Sequence, residues 1–361
     1  MRVLLSFGTS AGGVGRHVAA LARGLAEDGH RVLVAAPPLE VSRFGVGDIP
    51  GVEVTPLAVR DRPDPRTDLP AVTRLRRLAA RADVVHAHGI RLGGLAAVAL
   101  PRRTPLVVTL HNAAPSGGAT AVVYAVLERL VARRAEVVLG VSHDLVARMD
   151  ALGARRTGAA VVPAPPRPAV TTSTAAVRAG LGLRDGTHLV VSVGRLTAQK
   201  DFGTLLAATA RLAGLDVLVA IAGEGPDREP LQRAIDARDL PVRLLGARSD
   251  VPDLLAAAGV VVSSARWEGQ PLWLQEALQV GAPLVVTDAG GTVETIDGAA
   301  VIVPVGDAQI LANGIRAVLT DPGERAELVR RSEQAARGLP TLDDAVDAAV
   351  SSYRDAIRDA R

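Results

Sequence analysis

The chain of 361 residues carries a net charge of +3, is 48% hydrophobic and 2% aromatic, and has no cysteine, which excludes a disulfide scaffold, a thiolate metal site and a cysteine nucleophile. Its length exceeds one typical α/β core and fits two domains of about 150 to 200 residues, with interiors built from Ala, Val and Leu. No apolar run approaches the roughly 20 residues of a membrane span, and the apolar start MRVLLSF is shorter than a signal-peptide core, so the sequence reads as cytoplasmic.

In chain order, RVLLSF (2–7) reads as a buried strand. A glycine-rich turn, GTSAGG, follows it, then a helix through His17, Leu21 and Leu25 that stops at Gly29. Strands are predicted at 31–36, 52–57, 83–88, 105–110 and 136–141, mostly with helices between them. Their continuous Val/Leu runs, rather than alternation, predict strands covered on both faces and hence a parallel sheet. Proline and threonine make 161–176 an extended, exposed connector. A second βα series runs through 188–194, 216–223, 242–246, 259–264, 282–288 and 300–305. The predicted class is α/β: two doubly wound, Rossmann-like parallel sheets facing across a cleft, with ligands outside the carboxyl ends of the strands. The predicted division is 1–165, 166–340 and a terminal amphipathic helix over 341–361, which places Leu342, Val346, Val350, Tyr353 and Ile357 at helical spacing.

Charge is unevenly distributed. Residues 1–170 hold 22 basic and 13 acidic groups, whereas the remainder holds 19 and 25. The basic excess in RLRRLAAR (74–81), Arg102–Arg103 and Arg133–Arg134 suits an anionic partner, such as a membrane surface or a phosphorylated acceptor, and equally a solvated surface. Nucleic acid is disfavoured, because no aromatic residues interleave these arginines. Lys200 is the only lysine in the chain, which marks a position where a compact ammonium does what a guanidinium cannot.

Four groups of residues carry candidate chemistry. Gly12-Gly13-Val14-Gly15 joins the first strand to the first helix, where a backbone without Cβ atoms and free N–H groups suit a phosphate; a plain strand-to-helix turn uses the same residues. Gly8-Thr9-Ser10-Ala11-Gly12 also matches the G-x-S-x-G nucleophile elbow, but no upstream loop supplies an oxyanion hole. Arg195 and Lys200, on a loop leaving the first strand of the second sheet, can clamp a diphosphate and stabilise it as it departs. Glu268 lies in a strand-end loop, and Glu276 lies two turns later on a helix that Pro271 opens. Both carboxylates suit paired sugar or ribose hydroxyls. A glycoside-hydrolase pair is the other reading of the two acids, and it leaves the cations unexplained. His111 follows a strand end, and His86 and His88 share one face of a strand. A zinc site there lacks an acidic ligand, and no strand-terminal D-x-D marks a divalent metal, so no metal is expected.

Taken together, GGVGRHV, DVVHAHG, VVTLHN, VGRLTAQKDFGTLLAA, IAGEGPDREPLQ and EGQPLWLQEALQVGAPLVVTDAGGTVETI resemble the retaining GT-B glycosyltransferases of family four, among them the phosphatidylinositol mannosyltransferases. The resemblance spans nearly the whole chain. It implies transfer of a sugar from a nucleoside-diphosphate-sugar to an acceptor hydroxyl, with retention and without a metal or cofactor. Arg195 and Lys200 would hold the diphosphate, joined by N–H groups at Gly12 and Gly13. Glu276 would hold the ribose and Glu268 the transferred sugar, with Gly269, Gln270, Pro271 and Leu272 completing the donor loop. His111 would lie beside the anomeric centre, and His17 and His88 on the acceptor side. The N-terminal domain would take the acceptor (lipid, glycan or small molecule), and the final helix would cross back to that domain. Gln270-Pro271 replaces the family's commoner Phe-Gly, Trp273 is bulkier than usual, and Leu342 stands where a tryptophan is frequent. The rival readings are an epimerase or phosphorylase on the same scaffold, a serine hydrolase using Ser10 and a non-catalytic sugar-nucleotide binder.

Overall fold

The computed structural model describes residues 1–9, 12–60, 64–114 and 118–360, with only the backbone at 118 and 119. These residues form two compact units, Met1–Pro163 with Pro340–Arg361, and Ala164–Leu339.

The first unit runs β1 (Arg2–Phe7), α1 (Gly13–Glu27), β2 (Arg31–Ala36), α2 (Pro38–Arg43), β3 (Val52–Pro56), α3 (Pro65–Ala79), β4 (Val84–His88), α4 (Ile90–Ala99), β5 (Leu106–Leu110), α5 (Gly118–Arg134), β6 (Val137–Gly140), α6 (His143–Ala151) and β7 (Thr157–Ala159). All its strands pair in parallel, in the order β3-β2-β1-β4-β5-β6-β7. The order in which strands are added reverses between β1 and β4, where Phe7 registers with His88. The loop after β1 and the histidines ending β4 and β5 therefore meet at this switch point.

The second unit runs α7 (Thr174–Gly180), β8 (His188–Val193), α8 (Phe202–Thr209), β9 (Val217–Ala222), α9 (Arg228–Asp236), β10 (Val242–Gly246), α10 (Val251–Ala257), β11 (Val260–Ser263), α11 (Leu272–Gln279), β12 (Leu284–Thr287), α12 (Thr292–Ile296), β13 (Ala300–Val303), α13 (Ala308–Thr320) and α14 (Pro322–Arg337). Its parallel order is β10-β9-β8-β11-β12-β13, with the switch between β8 and β11. The last helix, α15 (Leu342–Asp359), returns to the first unit. It opens on a capping box between Thr341 and Asp344, and it buries Val346, Val350 and Tyr353 in the core under β1, β2 and α1.

The structure corrects three sequence expectations. The outer strands β3, β7, β10 and β13 are only partly covered, because an edge strand lacks a neighbour on one side. Strand β7 has the sequence TGA, with no apolar run to announce it. Helix α7 begins inside the segment read as a connector, where Ser173 accepts a bond from the N–H of Ala176 and caps the first turn.

Candidate active site

In the second unit the carboxyl ends of β8, β11 and β12 carry three interlocked loops. Gly194 follows β8, and the Lys200 side chain folds back over it, 3.3 Å from where a Cβ would stand. Asp201 closes this loop at the N-cap of α8 in the left-handed conformation, with φ +47°. Gln199 Nε2 donates to Trp267 O (2.9 Å), Arg266 N donates to Gln199 O (2.8 Å), and Ser264 Oγ donates to Lys200 O (3.1 Å). Thr287 Oγ1, at the end of β12, donates to Ala265 O at 2.6 Å. Gly290, with φ +56°, stands where a Cβ would lie 2.2 Å from Glu268 O, and Gly291 N donates to that same oxygen. Only glycine allows so close a backbone approach.

These ties bring Lys200 Nζ and the Glu268 carboxylate into a direct ion pair. Only 17% of the Lys200 side chain and 6% of that of Glu268 are exposed, so both charges are largely desolvated. The sequence reading gave these residues separate ligands, a phosphate and a sugar hydroxyl; the structure pairs them with each other. Arg195 is exposed, and its guanidinium makes no hydrogen bond or ion pair with a described residue. Gly269 and Pro271 are buried, whereas Gln270, Leu272 and Glu276 are partly exposed. Pro271 is the extended N-cap of α11, one residue before the helix rather than within it.

In the first unit, Gly12 is the N-cap of α1 at φ +122°, a conformation that requires glycine, and Gly13 opens the helix with free space where a Cβ would be. Ser10 falls outside the described residues. At the switch point His17, His88 and His111 form a triangle with ring centroids 5.4 Å apart. His88 Nδ1 and His111 Nε2 share a hydrogen bond of 3.1 Å, while His17 Nδ1 and His88 Nε2 are buried without a partner among the described residues. Burial holds His17 down to about 4 and, aided by neighbouring histidines, pushes His88 and His111 well below 6.5. All three are therefore neutral at pH 7. His86 stacks 4.1 Å from His88, and both its nitrogens are committed, Nδ1 to the Tyr353 hydroxyl (2.8 Å) and Nε2 to Thr109 Oγ1 (2.7 Å).

His88 and His111 also line a cavity of about 290 Å³ whose wall includes Gly8, Arg60, Arg91 and Tyr124. Sequence reasoning missed Arg60, Arg91 and Tyr124. Arg91 is a buried member of an otherwise apolar helix, bonded to Asp68 (2.9 Å) and to Arg60 O (3.1 Å). A buried-face arginine and one of only two tyrosines were the available signals.

Two doubly wound parallel sheets, each with charged or titratable groups at its switch point, define the GT-B class of proteins. The comparisons agree. Residues 12–165 match the glycosyl transferase 4-like domain family and residues 173–336 match glycosyl transferases group 1. A D-inositol 3-phosphate glycosyltransferase of Xylanimonas cellulosilytica is 30% identical over 390 residues, covering 96% of this chain and 93% of the relative. The chain belongs to the family four GT-B glycosyltransferases. The alpha-D-kanosaminyltransferase of Streptomyces kanamyceticus is 29% identical over 179 residues, covering 47% of this chain and 46% of that protein. The GDP-mannose-dependent phosphatidylinositol dimannoside mannosyltransferase of Mycobacterium tuberculosis is 32% identical over 167 residues, 43% of each chain. The chain thus spans about half the length of several curated relatives it matches. Among solved structures, Anabaena HepE in complex with UDP-glucose superposes with a TM-score of 0.81 at 22% identity, over 98% of this chain and 99% of that one. WaaG, a lipopolysaccharide-biosynthesis glycosyltransferase, gives 0.75 at 18%, over 96% and 99%. Among the described residues, no helix is long and apolar enough to cross a membrane.

Proposed function

We propose that the chain transfers a glycosyl group from a nucleoside-diphosphate-sugar to an acceptor hydroxyl, with retention and without a metal ion. The observation that carries this reading is the desolvated Lys200–Glu268 pair at the ends of β8 and β11, on the same loop as Arg195, whose guanidinium is unpaired among the described residues. A donor diphosphate brings the anion that Lys200 holds only as Glu268 in its absence. Arg195 and Lys200 then hold the phosphates, and Glu268 turns its oxygens to hydroxyls of the transferred sugar. Gly269, Gln270, Pro271 and Leu272 shape that sugar's pocket, and Glu276 accepts from the ribose. Gly12 and Gly13 add N–H groups at the N-terminus of α1.

In the transfer, the bond from the anomeric carbon to the diphosphate oxygen breaks, and a bond to the acceptor oxygen forms on the same face. The acceptor's proton leaves with the diphosphate. Fixed cations stabilise the departing charge more than the bound donor, which is where the rate gain arises. Neutral His111 offers a hydrogen bond to the sugar or the acceptor, with His88 and His17 behind it on the acceptor side. His17, His88 and His111 bring one ring nitrogen each within 4.8 Å of one another, a set that could hold a metal ion, so the metal-free reading stands or falls on the assay in EDTA. The relatives support a nucleotide donor, since one is described as GDP-mannose-dependent and HepE binds UDP-glucose. In this reading the reaction is cytoplasmic, with a lipid, glycan or small molecule as acceptor.

The test is release of nucleoside diphosphate from UDP-, GDP- and ADP-sugars with and without candidate acceptors, in EDTA, with the product anomer read by NMR. Release that needs the acceptor and survives EDTA is expected. Acceptor-independent conversion of the sugar would instead indicate an epimerase, and dependence on inorganic phosphate a phosphorylase.

A further inference from the structure

In the first unit, α4 packs between α3 and α5, and right-handed crossovers set the three helices on one side of the sheet. Each carries large aliphatic side chains into solvent: Leu69 on α3 (68% exposed), Val98 on α4 (62%), and Val122 and Val126 on α5 (66% and 58%). One such residue is ordinary; a series across three adjacent helices marks a contact surface.

Within residues 66–134 the exposed charge has a single sign, whereas the neighbouring α6, tied to α5 through Arg148 and Glu128, exposes Asp144 and Asp150. Among the described residues, nine of the eleven arginines from Arg66 to Arg134 are exposed, and no acidic residue of that stretch is. The acids that do occur there are each held in an ion pair, Asp68 to Arg91 (2.9 Å), Asp83 to Arg2 (2.7 Å) and Glu128 to Arg148 (2.6 Å).

We infer that the α3–α4–α5 face seats on an anionic lipid surface, its aliphatic side chains entering the headgroup boundary and its arginines pairing with lipid phosphates. Both halves of the pattern are used there: apolar area enters the acyl boundary, and the negative leaflet attracts the guanidinium groups. A second copy of the chain would set like charge against like across a two-fold contact. Nucleic acid would leave the aliphatics idle and find no stacking platform, because Tyr124, the one aromatic of the stretch, lines the cavity beside His111. The seating does not depend on the transfer chemistry.

The experiment is flotation of the full chain with phosphatidylcholine vesicles, with and without phosphatidylglycerol, at low and high salt. Binding only to the phosphatidylglycerol vesicles, and lost in high salt, is expected. The exposed triple variant Arg76→Gln/Arg129→Gln/Arg133→Gln should lower partitioning about 100-fold, at about fivefold per arginine. Val122→Ser/Val126→Ser should lower it about tenfold with an unchanged salt slope. All these positions are exposed, so an unchanged melting temperature verifies the fold. Failure to float with phosphatidylglycerol at low salt overturns the inference. So does equal binding by the arginine variant, or a valine variant that binds as wild type does while heparin competes fully, which would make the face a general polyanion site. Lys200→Ala should float normally, so loss of transfer and loss of seating are separate results.

Discussion

Lys200 was visible in the sequence as the chain's one lysine on a strand-end loop. Its partner was not, because Glu268 lies 68 residues away and meets it only through the ties between the two loops. The pairing gives Lys200→Ala two consequences. Transfer should fall about 100-fold or more, as when a fixed donor to a leaving oxyanion is removed. The buried Glu268 carboxylate, left unpaired, should also destabilise the fold by about 3 kcal/mol. Adding Glu268→Gln should restore much of the melting temperature but none of the activity; a double variant no more stable than the single would show that the pair is not coupled. The Tyr353 hydroxyl is a second case. It fixes the ring of His86 from inside the core, and burial raises its pKa. Tyr353→Phe should therefore cost about 1 to 3 kcal/mol by orphaning His86 Nδ1, read from denaturant unfolding.

At the scale of elements, the glycine turn after β1 combines two requirements. Gly12 needs its left-handed backbone, whereas Gly15 needs the absence of a side chain, since a Cβ there would stand 2.0 Å from the Phe44 ring. Gly15→Ala should destabilise the first unit by about 1 to 3 kcal/mol through overpacking. Trimming the ring with Phe44→Leu should relieve the cost, and a Gly15→Ala variant as stable as wild type would rule out the close contact. The inner strands of both sheets were legible because a strand covered on both faces is mostly a run of Val, Ile, Leu and Ala. What escaped was β7, too short to carry a run, and the first turn of α7, whose Ser173 cap lay in a proline-rich context.

For the whole molecule, the histidine cluster links stability to pH. His17 and His86 have folded pKa values of about 4 and about 3, below the ordinary 6.5, so the unfolded chain takes up protons that the native state refuses. Stability should therefore rise with pH through this window and fall as pH drops from about 6.5 towards 4. His17 alone should account for about 3 kcal/mol of that loss. Melting curves at stepped pH check this: a flat melting temperature across the window contradicts the burial of neutral rings, and His17→Asn should flatten the slope. The sequence by itself determined the two parallel sheets, their inner strands and the family, because covering both faces of a sheet and closing a turn at positive φ each demand particular residue types in a particular local order. Only the tertiary structure decided that Lys200 and Glu268 neutralise one another, that Tyr353 reaches back to His86, and that the exposed arginines of α3 and α5 lie on one side of the sheet. Those facts depend on which distant segments meet, and local spacing carries no record of that.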